Sequence, residues 1–215
     1  MSSPEMLQGS DAWHQTRLGK VTASKVADVM AKTKTGPSAS RVNYMAQLLC
    51  ERLTGNPTDC FMNDAMRWGT EKEPEARAAY SFHHDADVSE IAFVDHPTIA
   101  MAGASPDGLI GDDGLLEIKC PNTATHLDTL ASGKPAGKYV TQMQWQMACT
   151  GRKWCDFASY DPRLPEHLRL FVTRVPRDAE MIAAMEAEVT TFLAELDARI
   201  VDLNQRYGAQ MLKAA

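Results

Sequence analysis

The chain has 215 residues, 44% of them hydrophobic, and a formal net charge of −6, a size and composition that suit one domain, residues 1–215, with a sizeable core. No apolar run approaches membrane-spanning length, and the opening MSSPEMLQGSDAWHQ lacks a basic-then-apolar leader, so a cytoplasmic protein away from membranes is expected. The five cysteines, Cys50, Cys60, Cys120, Cys149 and Cys155, are never spaced CxxC; this argues against a disulfide framework, a zinc site and an iron–sulfur cluster, and free thiols are expected.

In chain order, Thr22 caps a helix running to about residue 32. A polar, basic loop, KTKTGPSAS, spans 32–40, and a second helix spans about 41–53 before Gly55. A third, about 66–80, carries Glu71, Glu73 and Glu75. Strands are expected near 88–95, 99–104, 107–110 and 115–119, then a helix over 139–150 ending at Gly151. Two further strands, near 154–160 and 168–175, precede a closing helix over about 177–207. Its apolar residues at 181, 185, 189, 192, 196, 200 and 203 form one stripe, which is expected to pack on the sheet. The order predicts an α/β (α+β) sandwich: one central, mixed but mostly antiparallel sheet flanked by helices. Trp13, Trp68, Trp145 and Trp154 are expected in the core.

The charge is uneven. Residues 56–118 carry −10, whereas 1–55 carry +3 and 119–175 carry +4. A negative total weakens long-range attraction to nucleic acid but permits a local positive track. It favours an enzyme that encloses its substrate over a free high-affinity binder.

The acidic segment ends in Ser105-Pro-Asp107-Gly and, ten residues after Asp107, Glu117-Ile118-Lys119. Gly111-Asp112-Asp113-Gly114 has hairpin-turn composition, so residues 107–110 and 115–118 would pair antiparallel and bring Asp107 near Glu117. Strand alternation puts Glu117 and Lys119 on one face and Ile118 on the other, with the Ile118 backbone carbonyl left as a further oxygen ligand. Two carboxylates and an ammonium are what metal-assisted phosphodiester hydrolysis requires. The plain alternative is a good turn beside a solvated strand edge. Glu73 could supply a third acid, though spacing alone does not choose it over Glu71 or Glu75. Arg17 and Ser24 bracket the first helix start, where N–H groups and a guanidinium could hold a terminal phosphate; a simple cap and a surface arginine fit the same residues. Gln142 and Gln146 share a helix face, from which one could bond a phosphate or orient the lysine. His83-His84 with Asp85 and Asp87 makes a poor metal site, because adjacent helical side chains diverge.

Together the residues resemble the lambda-exonuclease and YqaJ-like viral recombinase nucleases, within the PD-(D/E)xK superfamily. The resemblance rests on Asp11-Ala-Trp-His, Arg17-Leu-Gly, Thr22-Ala-Ser24, Trp68-Gly with Glu73, Ser105-Pro-Asp-Gly, Glu117-x-Lys-Cys-Pro121, Tyr139-x-x-Gln142-x-Gln and Tyr160-Asp-Pro-Arg163. It implies a restriction-endonuclease-like core and an ATP-independent, Mg²⁺-dependent exonuclease. Such an enzyme digests one strand of linear double-stranded DNA from its 5′ end to mononucleotides, leaving a 3′ overhang. It also implies two Mg²⁺ ions with Mn²⁺ as a substitute, a ring-shaped homotrimer, and a single-strand annealing protein as partner.

By position, Asp107, Glu117 and the Ile118 carbonyl resemble the metal ligands, and Lys119 the residue that positions the attacking water. Glu73 resembles a third acid, acting at the metal directly or indirectly. Arg17, Ser24 and Ser105 resemble the 5′-phosphate pocket, and Gln142 the glutamine near the active centre. Two positions differ. Met66 stands where the family has a leucine wedge at the duplex end, and Lys34 where an arginine reaches DNA. An endonuclease on the same core, or a silent DNA-end scaffold, are the rival readings; cutting of circular DNA would favour the first.

Overall fold

The structure, a computed structural model, describes residues 7–58 and 63–208. Two short N-terminal elements begin the chain, helix α1 (Asp11–Arg17) and strand β1 (Val21–Thr22), followed by α2 (Ala23–Met30). A small hairpin, β2 (Lys32–Thr33) and β3 (Gly36–Pro37), leads into α3 (Ala39–Thr54). Helix α4 (Asp64–His84) precedes five short strands, β4 (Val88–Ser89), β5 (Val94–Asp95), β6 (Ala102–Ala104), β7 (Gly108–Ile110) and β8 (Gly114–Lys119). Then come α5 (Thr123–Ser132), α6 (Gly137–Thr150), β9 (Trp154–Tyr160), α7 (Glu166–Arg169), β10 (Leu170–Pro176) and α8 (Ala179–Leu203).

Caps define the long helices. Ser38, Asn63, Asn122 and Asp178 each accept a backbone N–H from the first turn of α3, α4, α5 and α8. The expected terminators Gly55 and Gly151 adopt the left-handed conformation, with φ of 69° and 71°, that a helix C-terminus of this kind requires.

The central sheet has the order β10-β9-β8-β7-β4. Its β8–β9 pair is parallel and the other three pairs are antiparallel, so it is mixed and mostly antiparallel as expected. The α5–α6 segment makes the crossover between the parallel strands. One face carries Leu115, Cys155 and Phe157, which join α2, α3, α6 and α8 in the main core. The other carries Leu116, Ile118, Ala158 and Tyr160, covered by Ala76 and Tyr80 of α4. Alternation along β8 thus sends odd and even positions to different layers.

Several expectations change. The strand expected over 88–95 is two: β4 extends the central sheet, while β5 joins β6 and β1 in a separate three-stranded sheet. The loop 32–40 contains the β2–β3 hairpin. Helices α1 and α5 were not anticipated. Helix α8 presents the predicted stripe, with Met185, Val189, Phe192 and Leu196 buried, but to α2, α3 and α6 rather than to the sheet. Of the tryptophans only Trp145 is fully buried; the other three are half-buried. Cys60 lies outside the described residues. Cys120, Cys149 and Cys155 are buried free thiols and Cys50 is an exposed one. No helix among the described residues is long and apolar enough to cross a membrane.

Candidate active site

The site forms where β7 stops and β8 continues. Gly108 pairs with Leu116, so Asp107, one residue earlier, sits across from Glu117 on the same face. Asp107 is tied to the neighbouring strand directly: its Oδ2 accepts the Ile118 N–H at 2.7 Å. Within a strand the N–H and C=O of one residue leave on the same side. The Ile118 carbonyl therefore points toward Asp107, past the last pairing of β7.

Glu117 is completely buried and its carboxylate is held from three directions. Oε1 accepts from Gln142 Nε2 at 2.6 Å and contacts the Lys119 ammonium; Oε2 accepts from Gln146 Nε2 at 2.6 Å. Both glutamines come from α6, one turn apart. The shared face was legible, but its target is the acid and not the lysine. Gln144, between them, points elsewhere, bonding Pro176 O and Asp178 N. Lys119 also lies 5.5 Å from the ring centre of Tyr139, a positioning contact not foreseen.

The charges are strongly interdependent. Burial above all, then the Glu117 charge, pushes the Asp107 carboxyl well above the usual carboxylate range, although Lys119 pulls it down. Burial works against the Lys119 ammonium, but the Glu117 and Asp107 carboxylates outweigh it and hold its pKa above the ordinary value. Lys119 is therefore a cation here, suited to donate hydrogen bonds. Glu73 lies on α4, over the other face of the sheet. Burial raises its pKa, and the charges of Lys119 and Glu117 both reach it. Its Oε1 is bound by Arg77 Nη2 at 2.7 Å, and Arg77 in turn holds Glu90. Glu71 is exposed, and Glu75 accepts the Tyr160 hydroxyl.

A cavity of about 180 Å³ adjoins this centre, lined by Gln8, Trp13, Arg17, Thr22, Ala23, Ser24, Ser105, Asp107 and Gln142. It brings together the predicted phosphate residues and one of the predicted acids. Arg17, at the end of α1, holds its guanidinium carbon 3.8 Å from the centre of the Trp13 ring and donates to Ser105 Oγ at 3.2 Å. Trp13 Nε1 donates to the same hydroxyl at 2.9 Å. Gln8 bonds the carbonyls of Ile91 and Pro106, fixing the loop before Asp107. Ser24 is exposed in the first turn of α2; Thr22 precedes that helix without a side-chain cap bond. Trp13, expected in the core, lines the cavity instead, and Gln8 joins it unexpectedly. Only the Asp11-Ala-Trp-His motif gave a signal for the former.

Two predicted residues stand apart. Met66 is half exposed in the first turn of α4, and Lys34 is exposed at the tip of the β2–β3 hairpin. His83 and His84 are exposed; His83 meets the Phe82 ring edge-on and His84 stacks on Tyr80. Among the described residues no three His, Cys, Asp or Glu side chains are gathered closely enough to hold an ion together. A divalent cation nevertheless fits the donors present. Asp107, Glu117 and the Ile118 carbonyl offer hard oxygen donors, and a cation between them would offset the burial and the Glu117 charge that together raise Asp107.

Residues 12–153 match the model of the YqaJ-like viral recombinase domain. The alkaline exonuclease LHK-Exo from Laribacter hongkongensis is 56% identical, with a TM-score of 0.88 over 94% of this chain and 100% of that one. A structure of LHK-Exo in complex with dAMP superposes with a TM-score of 0.89 at 55% identity, over the same shares of both chains. A phage-related exonuclease from Haemophilus somnus 129PT, 14% identical, shares the fold, with a TM-score of 0.69 over 86% of this chain and 96% of that one. No curated protein sequence matches the chain. The expected restriction-endonuclease-like architecture is the one found. Matched from Ala12 to Lys153 by the family model and along nearly its whole length by LHK-Exo, the chain belongs to the YqaJ-like viral recombinase domain family.

Proposed function

We propose that this chain, a nuclease of the lambda exonuclease type, degrades one strand of linear double-stranded DNA from a 5′-phosphorylated end, with Mg²⁺, releasing mononucleotides. The observation that carries the reading is the cavity joining Arg17, Ser24 and Ser105 to Asp107 and Gln142. It is too small for a duplex and about right for a phosphate group. The bound dAMP of LHK-Exo, a deoxynucleoside monophosphate, supports a mononucleotide product.

In this reading Asp107, Glu117 and the Ile118 carbonyl hold one or two divalent ions, Mg²⁺ or Mn²⁺. These supply the Lewis-acid charge that lowers the pKa of water and steadies the leaving oxygen. Lys119, kept protonated by its neighbours, donates to the attacking water or the scissile phosphate. Gln142 holds Glu117 still, and Glu73, occupied by Arg77, acts indirectly through the local field. Arg17 grips the terminal phosphate, assisted by Ser105, Ser24 and the N–H groups opening α2. Each cleavage leaves a new 5′-phosphate, so each product end is the next anchor.

In the same reading, and on the strength of the family resemblance alone, Met66 wedges the duplex end and Lys34 touches a backbone phosphate as a point charge without an arginine's fork. A homotrimeric ring and a single-strand annealing partner complete the reading, on the strength of the family resemblance.

The test compares linear duplexes carrying 5′-phosphate or 5′-hydroxyl ends with closed circular DNA, each with Mg²⁺. Rapid loss of the phosphorylated substrate alone is expected. Equal digestion of all three would refute the pocket, and cutting of the circle would indicate an endonuclease.

A further inference from the structure

We infer that Gln146, a residue to which the resemblance gives no role, is a positioning residue that aims one oxygen of Glu117 at the bound cation. The inference rests on the metal-dependent reading above.

A carboxylate offers about four lone-pair directions, two on each oxygen. Oε1 of Glu117 receives two donors, Lys119 Nζ and Gln142 Nε2. Oε2 receives one, Gln146 Nε2 at 2.6 Å. Oε1 is thus filled, and Oε2 keeps a direction open for a further electrophile. Gln146 fixes where that direction points.

The orientation of Gln146 is dictated by Glu117. The side chain is fully buried, and its own Oε1 has no hydrogen-bond partner. Turning the amide over would set two oxygens against each other across 2.6 Å. A buried carbonyl left without a partner among the described residues is costly. Gln144 makes the contrast. Its amide is satisfied at both ends, tying α6 to the start of α8, away from the site.

The test is a titration of Mn²⁺ alone, with free ion followed by electron paramagnetic resonance, on the full chain and on Gln146→Met. The methionine keeps length and volume and loses the donor. Expected is a 10- to 100-fold weaker Mn²⁺ affinity, about the effect of losing a residue that orients a ligand, with the metal-free melting temperature within a few degrees. The Mg²⁺ midpoint for cleavage should rise by the same factor and cleavage recover at saturating Mg²⁺. Gln144→Met should lower the melting temperature and leave the Mn²⁺ affinity unchanged. Should Gln146→Met fail to fold, Gln146→Asn, one methylene short of Glu117, is expected to show the same weakening. Mn²⁺ affinity equal to wild type in the folded variant overturns the role of Gln146. An unmutated chain that binds no Mn²⁺ overturns the metal-dependent reading itself.

Discussion

Ile118 donates its backbone N–H to Asp107 Oδ2 at 2.7 Å, across the open end of the β7–β8 pair. That bond joins the acid on one strand to the segment that carries Glu117 and Lys119 on the next. The site is therefore as rigid as the pairing beneath it, and anything that moves β7 moves a candidate metal ligand.

Gly108 provides the sharpest test of that rigidity. A Cβ there would come within 2.3 Å of Val88 Cγ1, so the Val88 side chain or β4 itself must shift. Gly108→Ala is expected to cost roughly 1–3 kcal/mol of stability, as overpacking does. Cleavage should fall about 10²-fold even where the variant is folded, since a shift near 1 Å has that effect. Urea unfolding and single-turnover cleavage at low temperature check both parts.

Lys119→Met removes the partly buried ammonium that contacts Glu117 and lies near the Tyr139 ring. Cleavage is expected to drop about 10³-fold, the upper range for deleting one charge-stabilising donor. Binding of duplex ends, measured with Ca²⁺ by fluorescence anisotropy, should stay within a few-fold of wild type. Persistent cleavage would remove Lys119 from the mechanism.

Arg17→Ala leaves Trp13 and Ser105 in the cavity without the guanidinium that bridges them. kcat/KM on 5′-phosphorylated duplex should fall about 10- to 100-fold, the worth of one charged hydrogen-bonding group. On the 5′-hydroxyl substrate it should hardly change, so the preference between the two ends collapses.

Asp161 and Arg163 give a pH dependence of stability. Burial alone would raise the Asp161 carboxyl, but hydrogen bonds from Arg163 and Thr123 bring it down to about 2. A carboxyl depressed below its unfolded value stabilises the fold above about pH 4, and that contribution is lost as pH falls toward 2. Arg163 also caps the Pro121 carbonyl and lies 4.5 Å from the centre of the Trp68 ring. Arg163→Ala is expected to cost about 2 kcal/mol at pH 7, because Asp161 stays buried while its partner is half exposed. In urea titrations the gap to wild type should narrow steadily below pH 4.

What was legible in the sequence was local. The Gly111–Gly114 turn, the alternation around Ile118 and the stripe on α8 are short-range patterns, and each appears in the structure. Helix α5 had signals that went unread, Asn122 as N-cap and Gly133 as terminator. Helix α1 buries none of its residues, so no apolar periodicity marks it. The non-local choices were out of reach. Nothing in residues 88–95 says that β4 and β5 join different sheets. The α8 stripe states that a face is buried but not against which layer. At the site, motif spacing located Asp107, Glu117 and Lys119. It could not reveal that Gln146 completes the cage around Glu117, because that pairing arises only when α6 docks on the sheet; the Arg77–Glu73 pair is an i,i+4 contact within α4 whose spacing was readable.

The most direct measurement is the first-turnover release of label from one duplex labelled at its 5′-phosphate and, separately, at its 3′ end, with Mg²⁺ present. The 5′ label should leave at once as a mononucleotide, while the 3′ label stays on a strand that shortens from the other end. Release of the 3′ label first, or of both at equal rates, would contradict a cleavage centre at Asp107, Glu117 and Lys119 served by a 5′-phosphate cavity.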